Sequence, residues 1–294
     1  MSSASAAVRP YTSPWMDEDL DMFRDAVSRF AESEMLPHDE EWRKQKHVGH
    51  DIWRKAGAQG LLCTDIPAEY GGAGGDFRHE AVVYEETQRR GLSGFGQGVH
   101  SICAHYILNH GTEEQKQRFL PRMARGELVG AIAMTEPGAG SDLQGIRTKA
   151  VKDGDDYIIN GSKIFITNGY LAEIMIVVTK TDPSQGAKGT SIFLVETPGL
   201  KGYRVGRILD KMGMKAQDTS ELFFEDVRVP ITNCLGEEGK GFAYLQYQLD
   251  DHTKLSGLYG ATATRFQIPN NPDQPVSCDF VNQLNGNGDC ASDS

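Results

Sequence analysis

The sequence predicts an α+β protein in which an all-α N-terminal domain precedes a β-domain. Before Leu128, apolar residues recur every three or four positions, as on one face of a helix. After it, short β-rich runs alternate with turn-forming pairs. Helices and strands are segregated rather than alternating, which disfavours a nicotinamide-type doubly wound fold. We therefore predict a helical domain followed by a β-barrel or sandwich.

Five amphipathic segments form the predicted helical domain. Thr112 to Gln115 has the form of a capping box, and acidic residues begin the first helix. The glycine run 71–75 lacks the preceding strand and following lysine of a phosphate loop, so we interpret it as a turn between helices. The predicted helices span 16–34, 50–60, Phe77–Arg90, Gly98–Asn109 and Thr112–Met123.

The β-domain is predicted from a series of short strands, of which Val129–Met134 is the first. The others are Arg147–Lys152, Tyr157–Asn160, Lys163–Thr167, Ile174–Lys180, Thr190–Glu196, Tyr203–Leu209 and Glu221–Val229. Pairs such as Asp153-Gly154 and Asn160-Gly161 are interpreted as turns between them. A helix begins again near Gly239, and after about Gly257 the polar composition predicts disorder. The predicted domains are a flexible 1–14, a helical 15–126, a β-domain 127–236, the start of a further helical domain 237–256 and a disordered 257–294.

Composition excludes several classes of protein. The 294 residues, 39% of them hydrophobic, suffice for about two domains. Asp and Glu number 41 against 30 Lys and Arg, a net charge of −11 that disfavours nucleic-acid binding. No window of about 18 apolar residues predicts a membrane span. The five cysteines form no CxxC pair and suggest reduced thiols. His100, His105 and His110 do not share a helix face, so no metal site is expected.

The segment that opens the β-domain is the strongest candidate for a ligand site. An apolar strand leads into a loop with Pro137, Gly138 and Gly140, whose glycines allow positive φ and close approach of a ligand to the backbone. Hydroxyls of Thr135 and Ser141 flank the loop, so donors converge on an electron-rich group such as a ring carbonyl or a phosphate. Taken alone, such a loop is more often a plain tight turn.

Two carboxylates of this loop could be mistaken for an acid/base couple. Glu136 and Asp142 lie in a glycine-rich loop, where the backbone N–H groups of nearby residues are within reach of a side chain. Carboxylates in such loops commonly accept local backbone hydrogen bonds. We therefore interpret both as residues that fix the loop.

Three longer blocks resemble the acyl-CoA dehydrogenase family. Residues 131–142 resemble its flavin-binding signature, 163–168 its second flavin-contacting strand, and 212–227 a third block before the last strands of its β-domain. The likeness runs from about Trp15 to Leu249 and is closest to the long-chain branch. It implies FAD as cofactor, α,β-dehydrogenation of fatty acyl-CoA as in fatty acid β-oxidation, and an electron-transfer flavoprotein as electron acceptor.

By the same resemblance, the flavin-contacting residues come from two strands and one loop. The first strand and its loop would contribute backbone and hydroxyl groups, and the second strand would flank the ring. The implied cofactor-binding set is Ile132, Met134, Thr135, Gly140, Ser141, Phe165, Ile166 and Thr167. Ser141 would also meet the CoA thioester, and Phe165 stands where many relatives carry tryptophan. From the strand pattern alone, Phe165 and Ile166 would be ordinary core residues.

The resemblance ends before the family's C-terminal four-helix domain, and we expect the chain to be truncated or divergent after Leu249. In the long-chain and isovaleryl branches the catalytic base is a glutamate, followed by arginine, early in the helix that begins near Gly239. His252 and Thr253 stand at those positions here. A histidine has an ordinary pKa near 6.5 and can act as a base. A solvated histidine in a fraying helix is the plain alternative.

Three hypotheses for function follow. The first is the FAD-dependent dehydrogenase, the second a truncated and inactive relative that at most binds a CoA thioester or flavin, and the third a flavin oxidase or monooxygenase on the same fold. No secretory signal or Arg-rich transit peptide is evident, which predicts a cytoplasmic protein, or a mitochondrial matrix protein if eukaryotic. The resemblance implies a homo-oligomer whose contacts lie largely in the family's C-terminal domain, so a homo-oligomer is doubtful for this chain and its oligomeric state is left open by the sequence.

Overall fold

The computed structural model describes residues 13–248. The N-terminal segment up to residue 12, and all residues from 249 onward, lie outside the described part. His252 and the segment 257–294, predicted to be disordered, therefore lie outside the described residues.

The N-terminal part of the described chain is helical. Its helices are α1 (Glu18–Phe30), α2 (Asp39–Gln45), α3 (His50–Ala58), α4 (Phe77–Arg89), α5 (Gln97–His110) and α6 (Glu113–Ala124). Asp17 caps α1 by accepting a bond from Leu20 N at 3.0 Å, and α1 continues as a short π-helix, Ala31–Met35. The predicted capping box of α6 is confirmed, because Thr112 and Gln115 each accept a bond from the other's backbone N–H.

The strands that follow form, within residues 13–248, one seven-stranded mixed sheet. They are β1 (Gly130–Ala133), β2 (Lys149–Asp153), β3 (Asp156–Thr167), β4 (Ile174–Lys180), β5 (Thr190–Glu196), β6 (Tyr203–Ile208) and β7 (Thr219–Pro230). The sheet order is β1-β4-β2-β3-β7-β6, with β5 also paired to β4. The sheet curls, since the rings of Tyr157 on β3 and Phe193 on β5 lie 4.7 Å apart although their strands are not neighbours. The predicted α+β class is confirmed, with a curled sheet as the β-domain.

Strand β4 joins the helical part to the sheet. Ile174, Ile176 and Val178 face α5 and α6 in one apolar cluster. Met175 and Val177 face the opposite way, into the interior of the curled sheet. All seven residues of β4 are buried, which explains its continuous apolar run from Ile174 to Val178.

Two elements differ from the sequence prediction. Helix α2 is short and buries only Trp42, so it shows too little periodicity to be predicted. Strand β3 runs through Asn160-Gly161, where a turn is predicted. The strand continues with a bulge, because Gly161 has a φ of 156° and a Cβ at this position would lie 2.4 Å from Thr148 Oγ1.

A seventh helix, α7, begins at residue 241 and is described through residue 248. The ring of His110, at the end of α5, stacks on Tyr244 with 4.2 Å between centroids and meets the edge of Tyr247. Asn109 Nδ2 donates a hydrogen bond to Gln248 Oε1 at 3.2 Å. The predicted return to helix is confirmed, and α7 is anchored on the end of α5. None of the helices described between residues 13 and 248 is long and apolar enough to cross a membrane.

Candidate functional site

The structure brings the two segments of the predicted flavin site together at one point of the sheet. Ile164 N, on β3, donates a hydrogen bond to Thr135 O, just beyond β1, at 3.0 Å. Lys163 Nζ donates to Met134 O at 3.0 Å. Residues about 30 positions apart in sequence therefore meet through one backbone and one side-chain hydrogen bond, which fix the end of β1 against the middle of β3.

Phe165 occupies a bulge in β3 and points into the open. Lys163 pairs with Leu222, and Ile166 pairs with Ser220. Between these two pairs β3 advances by three residues and β7 by two, so β3 contains one extra residue. Phe165 has a φ of 62° and a side chain 62% exposed. A positive φ costs a bulky residue about 1–2 kcal/mol, and an exposed ring gains little from burial. Strained backbone of this kind clusters at functional sites, which makes Phe165 a candidate ligand contact.

The loop after β1 is closed by two backbone hydrogen bonds and leaves open space beside its glycines. Glu136 N donates to Ala139 O at 2.9 Å, and Ala139 N donates to Glu136 O at 3.1 Å. The positive φ that the sequence allows is found at neither Gly138 nor Gly140. A Cβ at either position would meet no atom within 4 Å. The two glycines therefore leave room for a ligand to approach the backbone, although neither adopts a conformation that requires glycine.

The two loop carboxylates fix the loop, as the sequence interpretation has it. Glu136 accepts hydrogen bonds from Arg147 N at 2.7 Å and from Thr148 N at 3.0 Å. Asp142 accepts one from Gln144 N at 3.0 Å and caps a short helical turn. Both carboxylates are engaged by backbone donors, which does not suit a proton-accepting base.

The residues implied by the resemblance differ in exposure. The half-buried ones are Ile132, Met134, Thr135 and Thr167, and the exposed ones are Gly140, Ser141 and Phe165. Ile166 is 2% exposed and packs in the core of the sheet, so only its backbone is available to a ligand. His252 lies outside the described residues. Within residues 13–248, no three His, Cys, Asp or Glu side chains are grouped to hold a metal ion.

Two residues of the site are missed by sequence reasoning. Lys163 is buried in a strand, where a lysine is expected on the surface. Asn168 lies in the turn that follows β3, and its Nδ2 donates to Gly96 O at 2.9 Å and to Gly130 O at 3.0 Å. Asn168 therefore ties the end of β3 to the segment before α5 and to the start of β1. Its φ of 61° is one that asparagine tolerates well.

Replacing Asn168 by alanine is expected to lower the free energy of unfolding by about 2 kcal/mol, because two buried carbonyl groups lose their donor. Asn168→Asp is the matched control, since aspartate tolerates the same φ but places a carboxylate against both carbonyl oxygens. We expect Asp to be at least as destabilising as Ala in urea unfolding. An aspartate variant as stable as the unmodified protein would show that backbone conformation, not the hydrogen bonds, matters here.

The fold and the site define a class. An all-α domain joined to a curled mixed sheet defines an α+β protein, and the exposed Phe165 and the open glycine loop form a candidate ligand site at the end of β1. Comparison with known sequences sharpens this class. Acyl-CoA dehydrogenase, N-terminal domain, matches residues 17–127, and Acyl-CoA dehydrogenase, middle domain, matches residues 131–227. The chain belongs to the acyl-CoA dehydrogenase family.

Individual relatives agree with this assignment. A curated pig (Sus scrofa) protein, long-chain specific acyl-CoA dehydrogenase, mitochondrial, is 51% identical over 251 residues, which are 84% of this chain and 58% of the relative. The expected likeness to the long-chain branch is thereby confirmed. The chain spans somewhat more than half the length of this relative.

Solved structures show the same fold. The acyl-CoA dehydrogenase from Geobacillus kaustophilus is 46% identical, with a TM-score of 0.80 over 84% of this chain and 66% of that one. A probable acyl CoA dehydrogenase from Mycobacterium abscessus is 30% identical, with a TM-score of 0.77 over 92% of this chain and 76% of that one. An acyl-CoA dehydrogenase from Bacillus anthracis, complexed with FAD, is 34% identical, with a TM-score of 0.77 over 84% of this chain and 43% of that one.

Proposed function

We propose that this chain supplies the flavin- and substrate-binding domains of an FAD-dependent acyl-CoA dehydrogenase acting on fatty acyl-CoA thioesters. The observation that carries this proposal is Phe165, an aromatic ring 62% exposed on a bulge with a φ of 62°. It lies beside the backbone of Thr135, to which the same bulge is hydrogen bonded through Ile164 N. A planar aromatic ligand seated here would cover the ring.

The residues present fit a flavin. The isoalloxazine ring combines an apolar edge with carbonyl and ring-nitrogen acceptors, and Phe165 offers an apolar face of matching shape. Thr135 and Thr167 are half-buried and carry hydroxyl donors on the two adjoining segments. The open side of Gly138 and Gly140 leaves room for backbone approach. When bound, the cofactor would accept the hydride that leaves the β-carbon of the substrate.

The chain's own residues would bind and orient the thioester. Ser141 is exposed at the end of the glycine loop, where its hydroxyl can donate to an acyl carbonyl. The α-proton must go to a base, and the carboxylates of Glu136 and Asp142 are already held by backbone N–H groups. We propose that the base comes from beyond residue 248, with His252 as the candidate in this sequence. Absence of a working base would lower the rate about 100- to 10,000-fold.

The domain boundaries and partners form part of the same proposal. The boundary between 15–126 and 127–236 is supported by the end of α6 at Ala124 and the start of β1 at Gly130. An electron-transfer flavoprotein is the proposed electron acceptor, and the cytoplasm, or the mitochondrial matrix if the source is eukaryotic, the proposed location. Both rest on family membership.

The visible absorption spectrum of the purified chain, before and after addition of a long-chain acyl-CoA, tests the proposal. A flavin spectrum that bleaches would support dehydrogenase activity. A yellow protein that does not bleach would support an inactive relative that binds cofactor alone. Oxygen consumption with peroxide release during turnover would favour an oxidase, and a colourless folded protein would contradict flavin binding altogether.

Phe165→Ala is expected to weaken flavin binding about three- to tenfold, the value of one aromatic contact. The matched control is Val151→Ala, which truncates a side chain that is 60% exposed on β2, away from the site. Titration of the flavin-free protein with FAD, followed by flavin fluorescence, measures both. Equal dissociation constants for the two variants would remove Phe165 from the site.

A further inference from the structure

Lys163 is a buried lysine in the strand that carries Phe165. Its side chain is fully buried, and its Nζ donates to Met134 O at 3.0 Å, Glu136 Oε1 at 2.9 Å and Val178 O at 2.6 Å. All three hydrogen positions of the ammonium group are thereby used. The lysine connects β3 to β4, to the end of β1 and to the glycine loop.

Glu136 completes the connection on the other side. Its carboxylate accepts bonds from Arg147 N and Thr148 N as well as from Lys163. Desolvation raises the pKa of Glu136, but the charge of Lys163 and the backbone donors outweigh it, so the net pKa lies below its ordinary value. Desolvation lowers the pKa of Lys163 to about 8. At neutral pH Glu136 is therefore ionised, and most Lys163 side chains carry a proton.

A buried ion pair of this kind is weak grounds for stability. Removing two charges from water costs about as much as their attraction returns, and apolar replacements of both partners are often neutral. Stability alone therefore does not explain why the pair is buried here, and we look for a second role. The position of Lys163 suggests such a role, because one of the two carbonyl groups that it binds is that of Met134, at the end of β1.

The carbonyl of Met134 and the N–H of Thr135 belong to one peptide group. A charged donor on the carbonyl oxygen polarises the peptide and makes its N–H a stronger donor, as in any chain of hydrogen bonds. The same contact fixes the peptide plane, and hence the direction in which the N–H points. Thr135 is the residue whose backbone adjoins the bulge of Phe165.

We propose that Lys163 and Glu136 are a positioning pair that orients and polarises the Met134–Thr135 peptide toward the flavin ring. This inference rests on the proposed function, since it names residues that act through that peptide on the same ligand. Lys163 is fully buried and Glu136 is 7% exposed, so both would act through the peptide rather than by contact with the ligand.

The test compares variants of the full chain in flavin binding. Lys163→Met alone would leave the Glu136 carboxylate buried and unpaired, so the informative variant is the double Lys163→Met, Glu136→Gln, which removes both charges. Its matched control is Lys55→Met, Glu34→Gln, which makes the same chemical change in a partly exposed pair of the helical domain with an N···O distance of 2.7 Å. Lys163→Arg keeps the charge and the donors.

We expect the double variant at 163 and 136 to raise the dissociation constant for FAD about tenfold, as loss of a supporting residue typically does. The visible band of the bound flavin should also shift, because the ring would face a less polarised N–H donor. The melting temperature of the flavin-free protein should fall by no more than about 8 °C, because the carbonyls of Met134 and Val178 lose their donor while the cost of burying two charges is relieved. The control variant should bind FAD normally, and Lys163→Arg should bind it more tightly than the double variant.

Three results would overturn the inference. An unmodified chain that binds flavin, together with a double variant of equal affinity and spectrum, would remove the pair from the site while leaving the proposed function in place. A melting temperature lowered by more than about 10 °C would make the pair a structural element. An unmodified chain that binds no flavin would refute the proposed function and this inference together.

Discussion

Replacing Trp53 by alanine is expected to lower the free energy of unfolding by about 3–5 kcal/mol, the range for truncating a large buried aromatic. Trp53, on α3, is fully buried. Its ring lies 4.5 Å from that of Phe95 and 5.1 Å from that of His100, measured between centroids. Alanine would leave a cavity between α3 and the start of α5, where neighbouring rings can collapse only in part.

Trp53→Phe separates packing from polarity at the same position. The indole Nε1 is buried and has no hydrogen-bond partner among the described residues, so phenylalanine removes an unpaired donor while keeping much of the ring. We expect this variant to lose about 1 kcal/mol or less. Met22→Ala, at a side chain 62% exposed, should change stability by no more than about 0.5 kcal/mol. Urea unfolding at neutral pH measures all three, and an equal loss for Phe and Ala would refute the unpaired-donor argument.

His100 is expected to make stability depend on pH. Its Nδ1 accepts a hydrogen bond from Gly130 N at 3.0 Å, so the proton sits on Nε2, which donates to Met123 O at 3.2 Å. Burial holds the pKa of His100 at about 4, below the ordinary 6.5. Below pH 6.5 the imidazole of His100 is protonated in the unfolded chain, whereas in the folded state it stays neutral down to about pH 4. The contribution of His100 is therefore complete above pH 6.5 and falls by about 3 kcal/mol as the pH drops to 4.

Other buried groups oppose this dependence, so a variant is needed to isolate it. Desolvation and the nearby Asp65 raise the pKa of Glu80 to about 8, and desolvation raises that of Asp218 to about 6. Both favour the folded state as pH falls. His100→Asn keeps an acceptor for Gly130 N and does not titrate. The stability of the unmodified protein relative to this variant should shrink by about 3 kcal/mol between pH 6.5 and 4. A difference that is constant with pH would contradict the neutral, buried imidazole.

Local features of the fold are those the sequence predicts well. The capping box of α6 needs only Thr112 and Gln115, three residues apart, and β4 needs only its own apolar run. Asn160-Gly161 misleads because the same pair occurs in hairpin turns and in bulges, and only the contact with Thr148, just before β2, decides between them. The domain boundaries stay predictions.

Of the candidate site, the glycine loop could be predicted from its own residues, and the second half only through the resemblance. Its two halves, Met134–Thr135 and the bulge at Phe165, are brought together by a sheet whose order does not follow the chain. A lysine in a strand is ordinarily a surface residue, and Glu136, the partner of Lys163, lies 27 residues away. No local sequence pattern predicts a contact between residues so far apart in the chain. The roles of these residues toward a ligand remain proposals.

The bulge at Phe165 bears on how this protein would respond to directed evolution. A φ of 62° suits glycine, and the exposed ring loses little when it is removed. A library selected for heat resistance alone would therefore enrich glycine at position 165 and discard the aromatic face proposed for the ligand. Thermal selection and cofactor retention favour different residues at this one position. Engineering of this domain should therefore couple every round of thermal selection to a screen for cofactor retention.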